Sequence, residues 1–310
     1  MKDAIVTVFG GGGFAGRYVV QALFEAGMRV RIVQRDPKAA FFLRRGRVGQ
    51  IQFVAADVRD KKGVARAVSG SQAVVNLVGS FADMDAVQTE GARNVAEAAA
   101  AAGARALVHV SAIGADPESP SRYGASKGRG EEAVSAAFPG ATILRPSILF
   151  GREDNFTNRF ARMLKLPVVP VIRGATRFQP VFVGDLADAV AKAIEAPLAF
   201  GGKTFEIAGP EQIGMGDLLK RLAGWTGDSP HFIDVPDAVA GALARLTGWA
   251  PGAPITWDQW LMLQHDNVAR AGAPGLDAFG IAATPMGAIA PSWLVQYRKQ
   301  GRFSGVKTTA

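Results

Sequence analysis

The 310-residue chain contains no cysteine. That one absence excludes disulfides, thiolate zinc sites and cysteine-ligated iron–sulfur clusters, so the chain cannot itself be an iron–sulfur electron carrier. Histidine is nearly as scarce, at three residues. His109 lies inside an apolar run and reads as a packed core residue. His231 and His265 have no clustered Asp or Glu partners, so no metal site is expected. No stretch reaches the ~20 uninterrupted apolar residues that span a bilayer. Even the Ala-rich run ending at Gly103 contains Arg93 and Glu97. The first residues lead straight into a strand-like segment with no signal-peptide pattern, which points to the cytoplasm.

Charged residues are modest at 20% against 48% hydrophobic, which places the chain among ordinary globular proteins and against intrinsic disorder; only Lys307 to Ala310 read as loose. The formal charge of +8 makes anionic partners plausible: a dinucleotide, an acidic protein surface or anionic lipid. General solubility explains it equally well. No basic stripe interleaves with aromatics, so nucleic acid is not an expected partner.

Through the first half, strand-length apolar runs alternate with helical patterns, the sequence form of repeated βαβ units. Strands are predicted near 4–9, 29–34, 51–55, 73–78, 105–111 and 141–147, with helices near 14–26, 37–46, 60–69, 84–102 and 122–138. The expected fold is α/β, a Rossmann-type doubly wound parallel sheet over residues 1–150, with a smaller C-terminal lobe over 151–310. In that lobe, strands are predicted near 179–183, 203–208 and 231–235, and helices near 156–165, 185–196, 215–224, 237–248 and 256–269. Some of these segments are expected to return to the Rossmann sheet.

Gly10, Gly13 and Gly16 follow the first strand and, with Phe14, open an amphipathic helix. Glycines let backbone approach a pyrophosphate closely, while the helix N-terminus offers unpaired N–H groups and partial positive charge. At the end of the second strand, where an acid would accept hydrogen bonds from an adenosine ribose, stands Gln34. Arg35 follows and is placed to meet a 2′-phosphate, so NADP(H) is the preferred cofactor and NAD(H) the alternative. Asp36 precedes Pro37 and reads as a helix N-cap.

The Gly10-x-x-Gly13-x-x-Gly16 spacing resembles that of the short-chain dehydrogenase/reductase superfamily, in its extended and atypical branches. The resemblance implies that Asp57 and Val58 contact the adenine, although Asp57 also reads as a loop or cap acid. It further implies that Asn76-Leu77-Val78-Gly79 closes the fourth strand against the cofactor; Pro146, ending the sixth, joins the same set. Tyr123 and Lys127, four residues apart on one helical face, are similar to its Tyr-x-x-x-Lys pair. In that chemistry the lysine lowers the tyrosine pKa and holds the nicotinamide ribose while tyrosine acts as general acid/base. Two positions depart from the pattern: alanine stands at 112 beside the substitute Ser111, and Gln88 stands where an asparagine is usual.

Phe150-Gly151-Arg152-Glu153-Asp154-Asn155-Phe156-Thr157-Asn158-Arg159-Phe160-Ala161 resembles a segment of the nucleotide-binding accessory subunits of respiratory complex I. Residues 14–20 and 179–185 do likewise. This resemblance implies a cofactor-holding, structural or assembly role beside the peripheral-arm subunits and peripheral membrane association. A working reductase or epimerase using Tyr123 and Lys127 is the alternative. The Phe150–Asp154 stretch reads equally as closing over cofactor, contacting a partner or capping a helix.

Overall fold

Apolar residues at four of the five positions of β1 (Ile5–Phe9) suit a strand buried on both faces, and all but its first residue are buried. A computed structural model describes residues 3–43, 49–250, 253, 255–299 and 301. In the first half β1 is followed by α1 (Phe14–Glu25), β2 (Arg29–Gln34), β3 (Ile51–Ala55), α2 (Lys61–Val68), β4 (Ala73–Asn76), α3 (Gly91–Ala101), β5 (Ala106–Val110), α4 (Arg122–Ala137) and β6 (Thr142–Pro146). Caps fix the helix starts: Asp60 accepts from the Lys62 amide and Ser121 from the Gly124 amide.

Beyond Pro146 come β7 (Leu149–Phe150), α5 (Phe156–Met163), β8 (Val168–Ile172), β9 (Arg177–Phe178), β10 (Val181–Phe182), α6 (Val183–Glu195), α7 (Pro197–Phe200) and β11 (Thr204–Ile207). The chain continues through β12 (Ile213–Gly214), α8 (Met215–Thr226), β13 (His231–Val235), α9 (Asp237–Thr247) and α10 (Trp257–Met262). Seven strands form the parallel sheet in the order β11-β6-β5-β4-β1-β2-β3. It is a doubly wound α/β sheet of the Rossmann type, with Thr204–Ile207 in register with Ile143–Pro146.

The chain forms two compact units. One comprises Met1–Pro146, Val183–Ala208 and Ala269–Ala283; the other comprises Ser147–Phe182, Gly209–Val268 and Thr284–Ala310. In the first, valines and alanines of α2, α3 and β4 make an apolar cluster with Phe9, Val58 and Leu107 of β5. In the second, Phe150, Leu164, Leu218, Leu222, Trp293 and Leu294 form the core.

Several elements differ from expectation. The predicted 37–46 helix is a 3₁₀ segment over Pro37–Leu43, and 44–46 lie outside the described residues, as do Lys307–Ala310. The predicted 84–102 helix begins with a π-helical turn, Asp85–Glu90. The 256–269 helix stops at Met262, because Asn267 is drawn into pairing with Phe178 and its amide donates to Arg177 O at 2.8 Å. Strand β8 was not anticipated. Pro170 disguises it, yet β8 pairs only with β13, and such an edge tolerates a missing N–H. Among the described residues no helix is long and apolar enough to cross a membrane.

Candidate nucleotide site

The turn between β1 and α1 needs glycine at two places for different reasons. Gly10 has φ of +78°, a left-handed conformation that side chains rarely adopt. At Gly16 a Cβ would stand 2.2 Å from Gly10 O, so α1 could not pack onto the turn. Gly13 is extended, exposed and uncrowded apart from Gly10 O, 3.2 Å from a built Cβ. The first helical bond is Arg17 N–H to Gly13 O at 3.1 Å. The amides of Phe14, Ala15 and Gly16 therefore precede the helical ladder and mark the N-terminal anion position.

Neighbouring strands bring the other residues to this end of the sheet. A Cβ on Gly10 would lie 3.4 Å from Leu77 C and 3.5 Å from Val78 Cγ2, so the glycine turn abuts the segment after β4. Asn76 Oδ1 accepts from the Val78 amide at 3.1 Å and fixes that segment's course. Gly79 follows, and a Cβ there would be 3.7 Å from both Lys127 Nζ and Gln88 Oε1. The structure thus gathers Gly10, Leu77, Val78, Gly79 and Lys127. Pro146 lies on β6, where its carbonyl accepts from the Ile113 amide at 3.0 Å.

Gln34 does something the sequence did not disclose. Its Oε1 accepts from the Gly12 amide at 3.1 Å and its Nε2 donates to Asp36 O at 3.2 Å, so this side chain braces the glycine turn. Asp36 accepts from the Lys38 amide, as an N-cap does. Arg35 is exposed and close enough to Asp57 to help hold that carboxyl below its usual range. The larger cause is Arg59, whose Nε and second guanidinium nitrogen bind Asp57 at 3.0 and 2.7 Å. Asp57 is thus a loop acid paired with Arg59, and the α2 cap is Asp60. Val58 is buried in the core cluster.

Tyr123 and Lys127 share one face of α4 but have different surroundings. Burial pushes the Tyr123 phenol up to about 12, and Phe81, itself 63% exposed, stacks on its ring at 4.8 Å. Lys127 is buried, donates to Val110 O at 3.2 Å and is pushed down to about 8 by desolvation, with Glu131 opposing. Gln88 Nε2 donates to Ser126 Oγ at 2.9 Å, while Gln88 Oε1 and Ser111 Oγ are buried without a hydrogen-bond partner. His109 is a core residue beside Asn76, lowered to about 3 by burial and then by Lys127. Phe81 was also missed by sequence reasoning; an aromatic in a loop directly after Gly79 was the available signal.

In the second unit, the Phe150–Ala161 segment caps a helix. Asp154 accepts from the amides of Gly151, Thr157 and Asn158 and from Thr157 Oγ1, securing the start of α5. Trp257 and Trp260 stack at 4.8 Å.

Residues 6–208 match the NAD dependent epimerase/dehydratase family model. The mitochondrial NADH dehydrogenase (ubiquinone) 1 alpha subcomplex subunit 9 of Rattus norvegicus is 36% identical over 297 residues, covering 92% of this chain and 78% of the relative. The ceramide reductase of Caulobacter vibrioides is 32% identical over 251 residues, 77% of each chain. An NADPH-dependent quinone oxidoreductase of Escherichia coli, solved with NADPH, shares the fold with a TM-score of 0.75 at 21% identity, covering 93% of this chain and 99% of that one.

Proposed function

This chain belongs to the NAD dependent epimerase/dehydratase family, and on that premise we propose that it holds NADP(H) as an accessory or assembly subunit of respiratory complex I. The observation that carries the reading is the similarity to alpha subcomplex subunit 9 over 92% of the chain. The glycine turn fits a dinucleotide: first-turn amides of α1 for the pyrophosphate, Leu77 to Gly79 along its path, and Lys127 for the nicotinamide ribose. With Gln34 braced against Gly12 where an acid would read the ribose, Arg35 favours the 2′-phosphate of NADP(H).

The catalytic set supports holding over turnover. Ser111 Oγ is buried without a hydrogen-bond partner, and the adjacent position is Ala112. The expected partners are subunits of the complex I peripheral arm, at the cytoplasmic face of the membrane. Mass spectrometry of nucleotide released from purified protein tests the cofactor; a preparation carrying NAD(H) or nothing would defeat that part. The similarity to ceramide reductase favours one second reading, an NADP-dependent carbonyl reductase using Tyr123 and Lys127. Robust carbonyl turnover abolished by Tyr123→Phe would promote it.

A further inference from the structure

One buried polar group beside Lys127 has no part in the nucleotide site so far. Gln88 lies in the π-helical turn Asp85–Glu90 and is 2% exposed. Its Nε2 donates to Ser126 Oγ at 2.9 Å, while its Oε1 is buried with no hydrogen-bond partner among the described residues. Buried amide oxygens are almost always paired, because a bare one has given up its hydration for nothing. The turn that carries Gln88 is anchored to α4. Thr89 Oγ1 donates to Ser126 O at 3.1 Å, and a Cβ on Gly130 would stand 2.2 Å from Gln88 O, so glycine there lets α4 close onto the turn. Backbone and amide nitrogen are thus both held, and π turns of this kind are frequent at functional sites.

The surroundings of the bare oxygen narrow down what would pair with it. A Cβ built on Gly79 would meet Gln88 Oε1 and Lys127 Nζ, each at 3.7 Å. Gly79 itself is exposed, so the two groups flank an open stretch of backbone next to the glycine turn. Lys127 Nζ uses one of its three N–H donors on Val110 O at 3.2 Å. An ammonium only donates and an amide oxygen only accepts, whereas a hydroxyl does both. A pair of neighbouring hydroxyls therefore satisfies both groups at once.

We propose that Gln88 reads the nicotinamide ribose together with Lys127, its Oε1 accepting from one hydroxyl of the ribose diol while Lys127 donates to that diol. This rests on the nucleotide reading above and deepens it. Glutamine, standing where asparagine is usual, carries the amide oxygen one methylene further from the turn and so towards Gly79 and Lys127.

The test is calorimetric titration of the full chain with two probes, NADPH and adenosine 2′,5′-bisphosphate, which lacks the nicotinamide ribose. Gln88→Met, close to isosteric, should weaken NADPH roughly three- to ten-fold, the scale of one lost hydrogen bond. Its affinity for the bisphosphate should stay unchanged, which also shows that the variant folds. Ser126→Ala removes the anchor of the amide nitrogen and should weaken NADPH by less. Added to Gln88→Met it should cost little more, since both act through one group. Should Gln88→Met fail to fold, Ser126→Ala carries the same test with the same two probes. Unchanged NADPH affinity in these variants would overturn the inference and leave the nucleotide reading standing. An equal loss of bisphosphate binding would mark a structural role and overturn it too. Carbonyl turnover lost at intact NADPH affinity would assign the oxygen to a substrate hydroxyl instead. A parent chain that binds neither probe would remove the nucleotide reading and this inference with it.

Discussion

Two glycines three residues apart, Gly13 and Gly16, carry separable duties. Gly13→Val should leave the empty protein nearly as stable, because the backbone there is extended and only Gly10 O is near, while blocking pyrophosphate. Thermal melts should show most of the ~2.7 kcal/mol expected at 100-fold the dissociation constant disappearing. Gly16→Ala should instead destabilise the protein with or without nucleotide. Arg35→Ala should lower NADPH affinity by roughly ten- to a hundred-fold, the scale of a lost charged hydrogen bond, with NADH affinity little changed. Calorimetry finding equal NADPH and NADH affinities in the unmutated protein would refute the assignment.

Lys127 gives the clearest pH signature. Its folded pKa, about 8, lies below the ordinary 10.5, so between these values the unfolded chain binds more protons and this residue makes stability rise with pH. Below about pH 8 the burden of a buried ammonium is fully present, on the order of 3 kcal/mol from the shift. Lys127→Met should therefore stabilise the empty protein at neutral pH, progressively less towards pH 10.5, while reducing nucleotide occupancy. Denaturant melts across that range check the first effect and released nucleotide checks the second. Tyr123→Phe should leave occupancy nearly intact.

Among the elements, α5 depends on a residue just outside it. Asp154 is buried and satisfies three backbone amides and one hydroxyl, so Asp154→Ala should destabilise by about 2 kcal/mol or more. Asp154→Asn, which keeps acceptors, should recover part of that. The same segment carries the resemblance to accessory subunits, and its Asn158 ties the start of α5 to Tyr297. Capping thus accounts for Asp154, while Arg152 and Arg159 remain exposed.

For the whole molecule, the proposed assembly role predicts that gentle detergent extraction and native gels will find the chain in complex I fractions, with assembly impaired when it is lost. Recovery of all the protein in a free pool would defeat this. The chain has no cysteine to ligate an iron–sulfur cluster, so its removal should affect assembly more than electron transfer through clusters already in place.

The sequence by itself determined the βαβ order, the parallel sheet and the glycine turn, because each depends on local pattern: apolar runs of strand length, 3.6-residue periodicity and glycine spacing after a strand. It also placed Tyr123 and Lys127 on one face, since four residues make about one helical turn. Tertiary structure decided the rest. Gln34 braces Gly12 and Phe81 covers Tyr123 through contacts between residues distant in the chain. The 256–269 helix gave way after Met262 because pairing with Phe178 satisfied backbone groups that helical propensity alone would have kept. Long-range hydrogen bonds outweigh local preferences that differ by less than ~1 kcal/mol per residue, and no local pattern records them.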